Sequence, residues 1–382
     1  MRIILLEMKK IWNFRLLAAI VLICALFYTI FMKFDIDHYP NGHPWTESVA
    51  LSTFMIQKYG ATLEEDEFAD LKKVREGFIA EAEQYIREKP VFARTGIFSY
   101  ADYEKTYNGE RTAEEDEAIW TLLGEECGFL EFKIEVINNV IEHYTIRAEQ
   151  IGSQMEEHAQ NSARYGRYTE ILDTNEYANI MDEHTFDNTK EYITMLTVLS
   201  LLSTFILVSP LVVTDRSRKT NLLQYSARQG RRILTKQLAG IAFSSVIMTT
   251  ILLGVFGLIY SGLGTQVYWN QGLTSFYSLV IMQVPITFGQ YIILMVLLMY
   301  FLSVGAAFIC FILSRFSQNT VTLVIKLLPA FGVMISLCIF VMTGLLKIGR
   351  LWIEPAMCFL VFLLGMAAAI FALRRERRVD VV

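Results

Sequence analysis

Five histidines (His38, His43, His143, His158 and His184) are the side chains best suited to bind a metal ion or change charge near neutral pH, and all fall between residues 38 and 184. Their spacings match no tight ligand pattern, so the simpler reading is unconnected helix histidines. Other chemistries lack their groups. The apolar segments hold no paired Asp, no His-Glu-x-x-His and no Ser–His pair, and the chain has no Gly-x-x-x-x-Gly-Lys-Ser/Thr phosphate cradle. No catalytic, cofactor-binding or metal site of its own is expected. Hydroxyls, by contrast, line up. Thr194, Thr197, Ser200, Ser203 and Thr204 share about one helical face, and Ser244, Ser245 and Thr249 share another. Such rows either line a polar path or let helices pack closely. Thr197, Ser200, Thr204, Ser245 and Thr249 are the candidate lining of a translocation path.

The elements that carry these residues follow from an uneven charge distribution. The chain has 382 residues, 53% of them hydrophobic and 19% charged, with a net charge of −5. Residues 35–190 hold 33 of the 39 acidic side chains but 14 of the 34 basic ones, a balance of −19, which leaves +14 for the rest. From Gln237 to Ser314, 78 residues pass without one Asp, Glu, Lys, Arg or His. No water-exposed globule has such a stretch, and disorder and a plain soluble enzyme are excluded. The expected class is an all-α integral membrane protein with six spans and a mostly helical extracytoplasmic domain. Its expected parts are 1–34 (an amphipathic helix and span one), 35–190 (the acidic domain) and 191–382 (spans two to six).

Leu16–Met32 is the first apolar run, about 26 Å long as a helix, with Arg15 and Lys33 at its ends. It exceeds a secretory h-region and no small-x-small cleavage site follows, so it reads as an uncleaved anchor. Tyr192–Thr214 is the second, and the third follows Lys236 to about Tyr260. A polar loop comes next, with Tyr268–Trp269 expected at the interface. Phe276–Ser314, 39 residues, is too long for one crossing and should break at Pro285 and Gly289. That leaves about 274–285 as an outer interfacial or re-entrant piece and 288–314 as span four. Spans five and six are read at about 320–344 and 355–373. Lys326 lies within span five and must snorkel.

Basic residues set the orientation. Arg2, Lys9, Lys10 and Arg15 precede span one. Seven more lie between spans two and three against Asp215 alone. Arg315 follows span four, and Arg374, Arg375, Arg377 and Arg378 follow span six. Six spans put all of these on one side, the cytoplasm by the positive-inside rule, with both termini there and 35–190 outside. Lys347 and Arg350 are the exceptions.

Within 35–190, Thr62-x-x-Glu65 and Thr112-x-x-Glu115 read as capping boxes opening amphipathic helices. The second carries Ile119, Leu122, Leu123, Leu130, Ile134, Ile137, Ile141 and Tyr144 at helical spacing and extrapolates to more than forty residues. Cys127 is the only cysteine in the block, so no disulfide framework is expected. The acidic runs Glu64–Glu67 and Glu114–Glu117 suit helix first turns, and could also attract cationic peptides.

The loop 214–236 is strongly basic and contains more than charge. Thr220-Asn221-Leu222-Leu223, then Ser226, then Gly230-Arg231-Arg232-Ile233-Leu234 and Lys236 resemble the loop between spans two and three of type-two ABC exporter permeases. Lys219 stands where that family usually has Gly, and Ala227 where it often has Pro. The Ile3–Trp12 segment resembles the family's interfacial helix, and Gly344–Pro355 sits where its short re-entrant helices precede the last span. The resemblance covers about 1–34 and 190–382. It implies a bacterial plasma-membrane permease subunit that does not hydrolyse ATP itself. Two copies of a separate ATPase subunit would bind ATP and Mg, and a second permease copy or sister permease would complete the assembly among membrane lipids, with no nucleic acid. Asn221, Leu222, Leu223, Tyr225, Arg228 and Arg231 become the expected ATPase-coupling contacts. The cargo would be an amphipathic molecule, such as an antimicrobial peptide, antibiotic or lipid-like compound. The alternative is a sensor or mechanotransmitting membrane protein whose helical outer domain binds a ligand or envelope partner. A secondary transporter fits less well, because the chain shows no duplicated halves.

Overall fold

Asn13 starts the first long helix. Its side chain accepts the backbone N–H of Arg15 at 2.9 Å, and the chain ahead of it is already helical. The computed structural model describes residues 2–217, 233–278, 280–350 and 352–378. Among them the chain is helical, with isolated bridges such as Thr62–Asn179 in place of strands. Six helical segments are long and apolar enough to cross a membrane: Phe14–Phe31, Glu183–Ser217, Ile233–Ser261, Phe288–Arg315, Thr320–Gly344 and Ile353–Arg375. The chain is a helical multi-pass membrane protein. It divides into a membrane unit (Met1–Asp37, Asp187–Gly264, Gln290–Val382) and a polar unit (His38–Phe186, Thr265–Gly289).

The membrane unit contains α1 (Arg2–Ile11), α2 (Phe14–Phe31), α3 (Lys33–Asp37), most of α11 (Glu183–Val208), α12 (Pro210–Ser217), α13 (Ile233–Ser261), α14 (Phe288–Arg315), α15 (Thr320–Gly344) and α16 (Ile353–Arg378). Pro210, which has no N–H to donate, separates α11 from α12 inside the second span. That span is the hub, with 83% of its apolar window buried against 6% for α2. Val21, Leu22, Leu26 and Ile30 of α2 face outward, as lipid or a second subunit requires. Helices α14 and α16 touch where both lack a side chain: a Cβ on Gly365 would stand 3.0 Å from the Gly305 carbonyl.

Span five runs Thr320–Gly344, capped by Asn319, whose side chain accepts from Thr322 N–H at 2.9 Å. Lys326 leans toward the start of that span and donates to the Phe316 carbonyl at 2.7 Å. The helical element expected between Gly344 and Pro355 is absent from the described residues there. Leu346, Gly349 and Trp352 all take positive φ, which no right-handed helix accepts, and α16 begins only at Ile353.

The polar unit contains α4 (Trp45–Tyr59), α5 (Glu65–Glu88), α6 (Pro90–Thr95), α7 (Tyr100–Tyr107), α8 (Ala113–Leu123), α9 (Leu130–Glu156) and α10 (Ala163–Thr174). One core joins α4, α5 and α9 around Met55, Leu71, Ile137 and Tyr144. Another joins α5 through α9 around Phe92, Tyr103, Ile119 and Ile134.

Three expectations change here. Glu64, not Thr62, precedes α5, and the Glu67 carboxylate accepts its N–H at 2.8 Å. Thr112 does cap α8, with Glu115 accepting its N–H at 2.7 Å. The single long helix is two, because Gly128 and Phe129 turn left-handed (φ +68° and +58°) between α8 and α9. Lastly, the 274–285 piece, expected to be interfacial or re-entrant, belongs with the rest of 265–289 to the polar unit. Phe276 N–H donates to the Tyr177 carbonyl at 2.8 Å, and its ring meets Tyr144 edge-on. Tyr268, expected at an interface with Trp269, is buried, its hydroxyl 2.6 Å from that of Ser52, while Trp269 remains 45% exposed. The folded polar block is therefore 38–186 plus 265–289, rather than 35–190.

Candidate functional site

Helix α1 presents two faces. Leu5 and Leu6 point outward, while Glu7 and Ile11 are buried against α13, the split an interfacial helix needs. Close approach is set by Gly240 of α13, where a Cβ would lie 3.6 Å from Glu7 Cβ, the Ile4 carbonyl and Met8 Cγ. One turn further on, Trp12 Nε1 donates to Ser244 Oγ at 3.0 Å.

Glu7 joins a buried polar cluster at the two ends of the basic loop. Gln237, near the start of α13, donates from Nε2 to Glu7 Oε2 and to Asp215 Oδ2, each at 3.1 Å. Lys10 Nζ reaches Glu7 at 2.9 Å and Asp215 at 3.5 Å. Two buried carboxylates require such donors, since an unpartnered buried charge is costly. Asp215 closes α12 and Gln237 lies within α13, so the cluster ties α1 to both flanks of the loop. Arg216 extends it by donating to the Arg315 carbonyl at 2.9 Å and to the Ser317 carbonyl. A guanidinium at the C-terminal end of α14 also complements that helix's dipole. The cluster and Arg216 thereby link α1, α12, α13 and α14.

Asn221, Leu222, Leu223, Tyr225, Arg228 and Arg231, the expected coupling contacts, lie outside the described residues. The five candidate path residues are all described, and all are fully buried. Ser200 Oγ lies 2.8 Å from Thr249 Oγ1 and 2.9 Å from Ser303 Oγ, joining α11, α13 and α14. Thr197 donates back to the Ile193 carbonyl at 2.7 Å. Thr204 Oγ1 and Ser245 Oγ are buried without a hydrogen-bond partner. In this arrangement the hydroxyl rows are packed helix contacts, and a path between them requires the helices to part. Beside the Pro210 break, a cavity of about 360 Å³ lies between α2, α11, α12 and α15, lined by Leu16, Phe205, Pro210, Val213, Leu323 and Phe331.

Sequence reasoning singled out the basic loop but missed the cluster at its two described ends. Glu7 was visible only as one charge in an amphipathic helix, and Gln237 only as the edge of an uncharged run. Their separation of 230 positions gives no local signal. The histidines do not converge. His43 stacks on Phe129 at 3.8 Å and His184 on Trp45 at 5.1 Å, and among the described residues no three His, Cys, Asp or Glu side chains come together to hold a metal ion. No known family model, curated protein or solved structure matches this chain.

Proposed function

We propose that the chain is the membrane subunit of an ABC exporter, paired with a second permease and driven by two copies of a separate ATPase. It would move an amphipathic substrate across or out of a bacterial plasma membrane, with both termini and the basic loop in the cytoplasm and the polar unit outside. The observation that carries this reading is the cluster of Glu7, Lys10, Asp215, Arg216 and Gln237 at the roots of the loop. Nucleotide-driven closure of the ATPases would press on 218–232, and the cluster would pass that motion to four helices as a rigid-body tilt. The buried hydroxyls at Thr197, Ser200, Thr204, Ser245 and Thr249 would then separate and face the substrate.

The test is reconstitution with the ATPase in vesicles. Leu222→Asp and Tyr225→Ala should cut substrate efflux at least tenfold while ATP hydrolysis continues. Unchanged efflux would remove the coupling role. A second reading, a ligand-sensing or force-transmitting membrane protein, is favoured by one observation: the polar unit has two hydrophobic cores of its own. It predicts no ATP-dependent efflux.

A further inference from the structure

Helices α4 and α5 and the turn ahead of α9 line a half-open cavity of about 680 Å³ within the polar unit, a volume typical of small-molecule sites. Its walls are almost wholly apolar, with Phe54, Phe78 and Phe129 supplying the aromatic surface. Phe129 is held with φ +58° and its ring lies 3.8 Å from that of His43.

Among these rings stands one carboxylate. Glu47 is 93% buried, and His43 Nδ1 lies 2.6 Å from its Oε1. Its other oxygen, Oε2, is buried and has no hydrogen-bond partner. The two oxygens are thus used differently: His43 fixes the carboxyl group, and the remaining acceptor, sealed from solvent in this conformation, meets a donor when a ligand displaces the cavity wall. A buried carboxylate oxygen without a donor is costly, and a site built to receive an N–H or ammonium discriminates sharply against ligands lacking one. Aromatic walls add attraction for a cation close to the rings. Lys133 lines the same cavity, where its ammonium suits an electronegative group such as a carbonyl at the other end of the ligand.

The geometry points to a binding site for an apolar amine: an aromatic or branched hydrocarbon body with an ammonium that donates to Glu47 Oε2 and an acceptor near Lys133. Free amines and the amino groups of apolar peptides share this chemistry. The site rests on the polar unit alone and stands or falls independently of ATPase coupling.

The test uses the full-length chain in phosphatidylcholine nanodiscs without nucleotide, titrated calorimetrically with empty discs as the blank. 2-Phenylethylamine and phenylalaninamide should bind, and 2-phenylethanol and 3-phenylpropionate should bind at least tenfold more weakly. A Phe-Phe-Lys peptide binding more tightly than phenylalaninamide assigns the site to peptides, and the reverse order to free amines. Glu47→Gln should weaken the amines at least tenfold. Ala50→Trp, which adds bulk at the cavity wall one helical turn from Glu47 and keeps its carboxylate, should abolish binding with the helical circular dichroism unchanged. Equal binding of amine and alcohol, no amine binding at millimolar concentration, or undiminished binding by Ala50→Trp would overturn the proposal.

Discussion

Gln237 does the work of two residues, because a single amide nitrogen serves the carboxylates of Glu7 and Asp215. Replacing it with Leu keeps the bulk and removes the donor. The expected cost is about 2–3 kcal/mol, since both lost bonds were to charged acceptors. Thermal unfolding in detergent micelles reads this, and an unchanged midpoint would mean that the cluster is solvated. In the polar unit the buried carboxyl group of Glu131 is held protonated to higher pH than usual. Burial lifts Glu131 from the usual 4.5 to about 7; the Tyr100 hydroxyl bonded to it works in the opposite sense, while Glu135 and Glu104 add to the rise. The folded polar unit therefore holds this proton more tightly than the unfolded chain does. The contribution of this one group to stability is greatest below about pH 4.5 and falls by at most about 3 kcal/mol as pH rises through 7. Amide hydrogen exchange along α9 should quicken over this window, beyond the ordinary effect of pH on exchange, and Glu131→Gln should flatten the trend. Neither residue drew notice as a sequence feature. Glu131 is one of 33 acidic side chains in its block, and what distinguishes it is burial against Tyr100.

Elements were more legible than residues, and the misses share a cause. Spans one and six are long apolar runs bounded by charge, Arg15 and Lys33 for the first and Glu354 and Arg374 for the last, so composition locates them. The α8–α9 break was hidden because Leu123 and Leu130 stand seven apart, two helical turns, so the apolar stripe stays in phase across a gap that is not helical. Thr62 has the right residue type and spacing to cap α5, but its backbone pairs with Asn179, a partner 117 positions away. The 274–285 segment was misplaced because an uncharged stretch between two spans reads as membrane-associated. In the structure the same apolar character serves the polar unit, where Phe276 and Tyr277 fill the core around Tyr144. The α14–α16 contact gave no motif at all, since Gly305 and Gly365 are sixty residues apart. It carries its own prediction. Gly365→Leu forces a side chain onto the Gly305 carbonyl, and overpacking of that kind costs about 1–3 kcal/mol. The same change at Gly254, where nothing lies within 4 Å of a Cβ, should be nearly silent. Paired melting curves separate the two, and equal shifts would refute the close contact.

For the whole molecule, the division of charge is the most informative feature and the one read most directly from composition. An acidic block set into a basic, apolar remainder required a membrane protein with a polar insert, and the structure has six long apolar helices and a separate polar unit. Composition could not show that the insert takes a second strand of chain from beyond span three, because that depends on contacts across nearly a hundred positions, such as Ser275 with Asn179. Nor could it show the polar cluster formed by residues that flank the basic loop. The permease reading needs that loop to face the compartment that holds ATP, and the polar unit to face the other. Single-cysteine labelling decides this most directly. With the five native cysteines replaced, Glu110→Cys should react with a membrane-impermeant maleimide on intact cells, and Tyr225→Cys should react only after permeabilisation. Labelling of Tyr225→Cys on intact cells, or protection of Glu110→Cys until the cells are opened, would contradict the account.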